Sequence, residues 1–75
     1  MSLYQLAREG ATEELAAYLS ESDSSAVRER AAAFLGDVGE PNEEVVGPLI
    51  ATAKDDPEPG VRDAAVGALD QLGQK

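Results

Sequence analysis

The stretch Val27-Arg28-Glu29-Arg30-Ala31-Ala32-Ala33-Phe34-Leu35-Gly36-Asp37-Val38-Gly39 returns 34 residues later as Val61-Arg62-Asp63-Ala64-Ala65-Val66-Gly67-Ala68-Leu69-Asp70-Gln71-Leu72-Gly73. Both copies run from valine through arginine and an acid into small apolar residues, then to leucine, an aliphatic residue and glycine. Self-similarity at one fixed period marks a repeat array, in which each unit buries its apolar face only against its neighbours. The register extends beyond the best-matching stretch, since Leu15 falls on Leu49 and Ala17 on Ala51. This fixes the fold class and leaves the biochemistry open.

Taken in order, the chain reads as five helices joined by short turns, with no strand signal. Residues 2–9 form a short helix with Leu3, Leu6 and Ala7 on one face, closed by Gly10. Leu3-Tyr4-Gln5-Leu6 echoes Leu69-Asp70-Gln71-Leu72, so this segment reads as the end of a repeat helix serving as a cap. Thr12 is the expected N-cap of a second helix ending near Ser20, with Leu15, Ala16 and Leu19 buried. After the turn 21–25, a helix over 25–38 carries Val27, Ala31, Phe34, Leu35 and Val38 on one stripe, with Phe34 as core. Gly39 and Pro41 stop it, and Asn42 caps a fourth helix over about 43–54 that buries Val45, Val46, Leu49, Ile50 and Ala53. Pro48 inside that segment predicts a kink or a late start. Pro59 suits the first turn of the last helix, 60–72, which buries Val61, Ala65, Ala68, Leu69 and Leu72.

The 75 residues form one domain: a capping half-repeat 1–10, a repeat 11–39 and a repeat 40–73. A chain of this size buries only about 60% of the surface its unfolded form exposes. Its apolar residues are largely alanine, with one Phe, two Tyr and no Trp. Thin, tight layers without a roomy ligand cavity follow.

Fifteen acids face six bases, a formal net charge of −9. Such a field repels phosphate backbones and anionic membranes, so neither nucleic acid nor membrane is an expected partner. The acids are scattered along the chain, which favours adaptation to a salt-rich cytoplasm over a dedicated acidic patch. No cysteine is present, so disulfides and thiolate metal sites are excluded. No apolar run approaches the ~20 residues of a membrane span, and the N-terminus lacks the pattern of a signal peptide. A cytoplasmic location is expected.

In combination, Asp56-Pro57-Glu58-Pro59-Gly60-Val61-Arg62, Ala64-Ala65, Ala68-Leu69, Leu72-Gly73 and Val45-Val46-Gly47-Pro48-Leu49-Ile50 resemble the HEAT repeat family, in the short form also found in phycobilisome lyases. The resemblance covers residues 11–73, and with the acidic balance it suggests a halophilic archaeon. It implies an all-α, α-α superhelix of five helices: two full repeats plus the N-terminal half-repeat. It also implies a concave and a convex face used for protein binding. The first copy departs from the pattern, with Ser22 at the Asp56 position and Asp23 at the Pro57 position, so a looser turn is expected there.

Arg28 and Arg62 recur at one register. They read either as guanidiniums gripping a partner's carboxylates or, as the resemblance favours, as an internal ladder in which each arginine ties down the turn before its helix or its neighbour repeat; Asp56 and Asp63 are further candidates for either role. Glu58 lies four residues before Arg62, a favourable ion-pair spacing. Asp55, Asp56 and Glu58 lack the spacing of a calcium loop and read as a solvated capping turn. Tyr4 and Tyr18 read as packing between the first two helices.

Histidine and cysteine are both absent, which removes the usual general bases and thiol nucleophiles. The family's metal-dependent hydroxylases use His-Glu pairs, which this chain lacks. No catalytic, cofactor or metal site is expected. The expectation is a non-catalytic protein-interaction or scaffold module. An accessory part of a lyase-like system is the alternative, as is a structural fragment that dimerises through its uncapped C-terminal helix.

Overall fold

A computed structural model describes residues 2–75. Five helices follow one another: α1 (Leu3–Arg8), α2 (Thr12–Glu21), α3 (Ser25–Val38), α4 (Glu43–Asp55) and α5 (Pro59–Gly73), with no strand among the described residues. Helices α2 and α3 pack as one pair, and α4 and α5 as the next. α3 packs most extensively on α5 and also meets α1, while α2 packs on α4. The result is a two-layered stack, α1-α3-α5 behind α2-α4, with Cα extents of 29 × 28 × 16 Å.

The turns explain the helix boundaries. Ser24 Oγ accepts from Val27 N at 3.3 Å and opens α3; Asn42 Oδ1 accepts from Val45 N at 3.2 Å and opens α4. Gly10, at φ +68°, closes α1 in a double turn: its N–H donates to Ala7 O, and the Ala11 N–H donates to Leu6 O at 2.9 Å. That motif uses up Ala11, so α2 begins at Thr12 itself. Thr12 is therefore the first helical residue and not a cap, and Ala11 at the N-cap offers no side-chain acceptor. Pro48 lies within α4, which starts at Glu43 without delay. The Asn42 cap completes the first turn before the proline's missing N–H is reached, and Gly47 gives the ring room on the preceding residue.

The core is leucine set in alanine: Leu6, Leu15, Leu19, Leu35, Leu49 and Leu72 are buried with Val45, Val61, Ala31, Ala32 and Ala65. Each such leucine is worth about 1.5–3 kcal/mol of burial, so these six outweigh any single polar contact. Phe34 is only half-buried, packed against the edge of this core. Val38 and Ile50 are exposed despite their place on the apolar stripes, and Ala32, Gly36 and Thr52 are buried off those stripes. The latter three lie where one repeat meets the next, a contact that single-helix periodicity does not report. At Gly36 the two helices approach closely: an added Cβ would lie 2.9 Å from Ala68 Cα.

Candidate functional site

The polar centre of the molecule is the turn 55–58, between α4 and α5. Asp56 is the C-cap of α4, in extended conformation, its N–H still bonded to Thr52 O at 3.1 Å. Its carboxylate turns back into the stack, where Arg28 meets it from the preceding repeat. Arg28 Nε donates to Asp56 Oδ2 at 2.8 Å and Nη2 donates to Oδ1 at 3.3 Å. This is the two-pronged geometry that a guanidinium offers a carboxylate. The remaining prong, Nη1, donates to the Ser22 carbonyl at 2.8 Å. Asp56 Oδ1 also accepts from Glu58 N at 3.0 Å, which shapes the turn.

Both side chains are largely covered, at 13% exposure for Arg28 and 6% for Asp56. Removing a charge pair from water is costly unless its hydrogen-bonding capacity is used. Here it is used, and no buried side-chain nitrogen or oxygen lacks a partner among the described residues. The hydrogen bond from Arg28 holds the Asp56 carboxyl below its ordinary value, and the Glu58 N–H adds to this against the opposing effect of burial. The same bond raises Arg28 further above its ordinary value.

Arg62 repeats half of this arrangement. Its Nη1 donates to the Asp56 carbonyl at 2.6 Å, the same six-residue reach as from Arg28 to Ser22. Its Nε and Nη2 have no acceptor among the described residues. The expected Glu58–Arg62 ion pair does not form, because the guanidinium is drawn to the Asp56 carbonyl, leaving Glu58 as an exposed N-cap. The structure thus gathers Arg28, Asp56 and Arg62 about one turn, while Asp63 points to solvent on α5 without an ion pair among the described residues. The first-copy turn keeps a matching shape: Ser22 Oγ accepts from Ser24 N at 3.2 Å where Asp56 accepts from Glu58 N.

A second rung is not legible in the sequence. Gln71 Nε2 donates to Asp37 Oδ1 at 2.8 Å, between identical registers of the two repeats. The different residue types at that register conceal it. Lys75 Nζ adds bonds to the Asp37 carbonyl at 3.0 Å and the Gly39 carbonyl at 2.7 Å, which lie at the electronegative end of α3.

Tyr4 and Tyr18 are both exposed and do not pack between α1 and α2. Leu6, Leu15 and Leu19 are the buried large residues of these two helices, and Tyr4 instead lies under the Arg8 guanidinium, 5.9 Å from its ring centre. An open hollow of about 420 Å³ lies between the turns 21–23 and 55–57. Arg28, its cation, is already bound to Asp56. No group of three or more His, Cys, Asp or Glu is placed to hold a metal ion among the described residues, and no helix there is long and apolar enough to cross a membrane.

Paired helices, stacked in two layers and tied by polar rungs at a fixed register, define an α-helical repeat protein. The family model described as HEAT repeats matches residues 1–75, and the chain belongs to that family. It is 46% identical over 70 residues to a HEAT repeat-containing taxis protein of Halobacterium salinarum, a match spanning 93% of this chain and 17% of that protein. The chain therefore corresponds to about a sixth of that relative's length. No solved structure matches it.

Proposed function

We propose that the chain is a non-catalytic protein-binding module that works in a salt-rich cytoplasm, with a partner in a taxis signalling assembly. The observation that carries this reading is the use made of the ladder. Arg28 and Asp56, the strongest charged constellation in the molecule, are bonded to each other and to backbone. They hold the stack together, each nitrogen of the Arg28 guanidinium and each oxygen of the Asp56 carboxylate being engaged within the fold. What remains for function is surface: a rigid slab with exposed Tyr4, Tyr18, Ile50 and Val66 on an acidic background. Exposed aromatic and aliphatic anchors on a rigid frame are the usual material of protein interfaces. The taxis context comes from the printed name of the Halobacterium relative, and the acidic balance agrees with a halophile's cytoplasm.

Affinity capture from a native halophile lysate in molar KCl, read by mass spectrometry, tests this. Stoichiometric recovery of one protein of the taxis machinery is expected. Recovery of the bait alone, or turnover of a small molecule by the purified chain, would overturn the reading.

A further inference from the structure

The last carbonyls of a helix have no partner within it, and a cation placed there is stabilised by the helix dipole. The C-cap carbonyls of α2, α3 and α4 are each taken by a base. Arg28 Nη1 donates to Ser22 O at 2.8 Å, Lys75 Nζ to Gly39 O at 2.7 Å and Arg62 Nη1 to Asp56 O at 2.6 Å. In a chain with six bases against fifteen acids, half of the positive charge is committed to closing helices.

The end of α3 differs from the other two in reach and in chemistry. Arg28 and Arg62 each reach back six residues to the turn before their own helix, whereas Lys75 reaches across 36 residues from beyond α5. α3 carries no base in its own last turn, and Gly39 is extended, at φ −76° and ψ 166°, so no left-handed turn ties up its carbonyls. Lys75 supplies what is missing, with a second bond from Nζ to Asp37 O at 3.0 Å. The charge on an arginine is permanent, but that on a lysine is removed by acylation. Lys75 is exposed. Lys54, the other lysine, lies in the last turn of α4 and donates no side-chain hydrogen bond among the described residues.

The carbonyl that Lys75 holds opens the connector between the repeats, residues 39–42. Gly39 is buried beside Val45 of α4, with its N–H bonded to Leu35 O at 2.8 Å. The connector ends in Asn42, whose side chain caps α4. Lys75 therefore pins α5 to the segment that sets where α4 begins.

We propose that Lys75 is a removable clamp on this connector, and that its ε-amine is a site for acylation by an activated acyl donor of the thioester class. The neutral amine attacks the thioester carbonyl carbon; the C–N bond forms, the C–S bond breaks, the sulfur leaves as the thiol and the amine's surplus proton goes to solvent. The amide product keeps one N–H and no charge, so it cannot hold both carbonyls as the ammonium does. Gln71 still holds Asp37, so α5 stays on α3 while the connector loosens.

The test uses N-acetoxysuccinimide, which installs the same acetamide, on Lys54→Arg and Lys75→Arg chains, with modification located by mass spectrometry and amide exchange followed by NMR. Acetylation of the Lys54→Arg chain is expected to speed exchange at Gly39 and Val45 several-fold and to leave the Glu58 amide, on the Arg28–Asp56 rung, unchanged. The Lys75→Arg chain is expected to show no such increase. Lys75→Gln should reproduce the local increase without reagent. Equal changes in the two treated chains would overturn the proposal, as would exchange at Glu58 rising with that at Gly39, which would mean general loosening. So would a Lys75 amine that stays unmodified under conditions that acetylate Lys54 in the parent chain.

Discussion

Asp56 is the residue at which the two repeats become one molecule. Arg28 holds its carboxyl below the ordinary value of 3.8, so the folded state binds a proton there less readily than the unfolded chain does. The stability this contributes is fully present above that ordinary value and is lost as pH falls through the lower folded value. Thermal melts from neutral pH downward should show a loss on acidification that Asp56→Asn removes; an identical profile in the variant would contradict the assignment. Because Oδ1 serves both Arg28 and Glu58 N, the asparagine variant should also be less stable than the parent at neutral pH. Arg28 and Arg62 were legible as a pair from their spacing alone, but their unequal partners were not. The sequence shows Ser22 and Asp56 at one register; only the fold shows that Arg28 takes its carboxylate from the later unit and its carbonyl from the earlier one.

At the scale of the helix, most boundaries follow from caps that can be read directly. Ser24 and Asn42 lie just before α3 and α4, and each accepts the expected backbone N–H. Ser24→Ala and Asn42→Ala should each cost about 1 kcal/mol in denaturant unfolding, as N-cap truncations commonly do. Thr12 was misread because a threonine before an acidic turn has the same appearance whether it caps the helix or begins it. The Gly10 turn decided the matter by drawing Ala11 into the end of α1. Burial was less legible than boundaries. A helical wheel reports one apolar stripe, but a helix in a stack touches neighbours on three sides, so Ala32 and Gly36 are buried off the stripe and Val38 and Ile50 are exposed on it. Gly36 sharpens the point. A methyl there would meet the α5 backbone at Ala68, so Gly36→Ala should destabilise by about 1–3 kcal/mol through forced separation of α3 and α5, despite alanine's better helix propensity. A stabilised variant would show that the helices can part without cost.

For the molecule as a whole, charge sets the working conditions. A net charge of −9 is spread over a slab 29 Å across. At about 0.01 M salt the screening length is roughly 30 Å and every acid repels every other; near 1 M it is roughly 3 Å and the repulsion is confined to neighbours. The Tm should therefore climb steadily between those limits, and a melt indifferent to KCl would remove the case for halophilic adaptation. The repeat architecture was legible because a 34-residue period survives substitution at many positions.

The claim on which the proposed function depends is that the Arg28–Asp56 rung is an internal tie between repeats. A double-mutant cycle tests it most directly, with Arg28→Ala, Asp56→Ala and the combined variant compared by denaturant unfolding at molar KCl. If the rung is internal, the double variant loses little more stability than the worse single one, because each substitution has already broken the same bonds. If the two losses simply add, the side chains act independently, and the arginines become free to serve a partner.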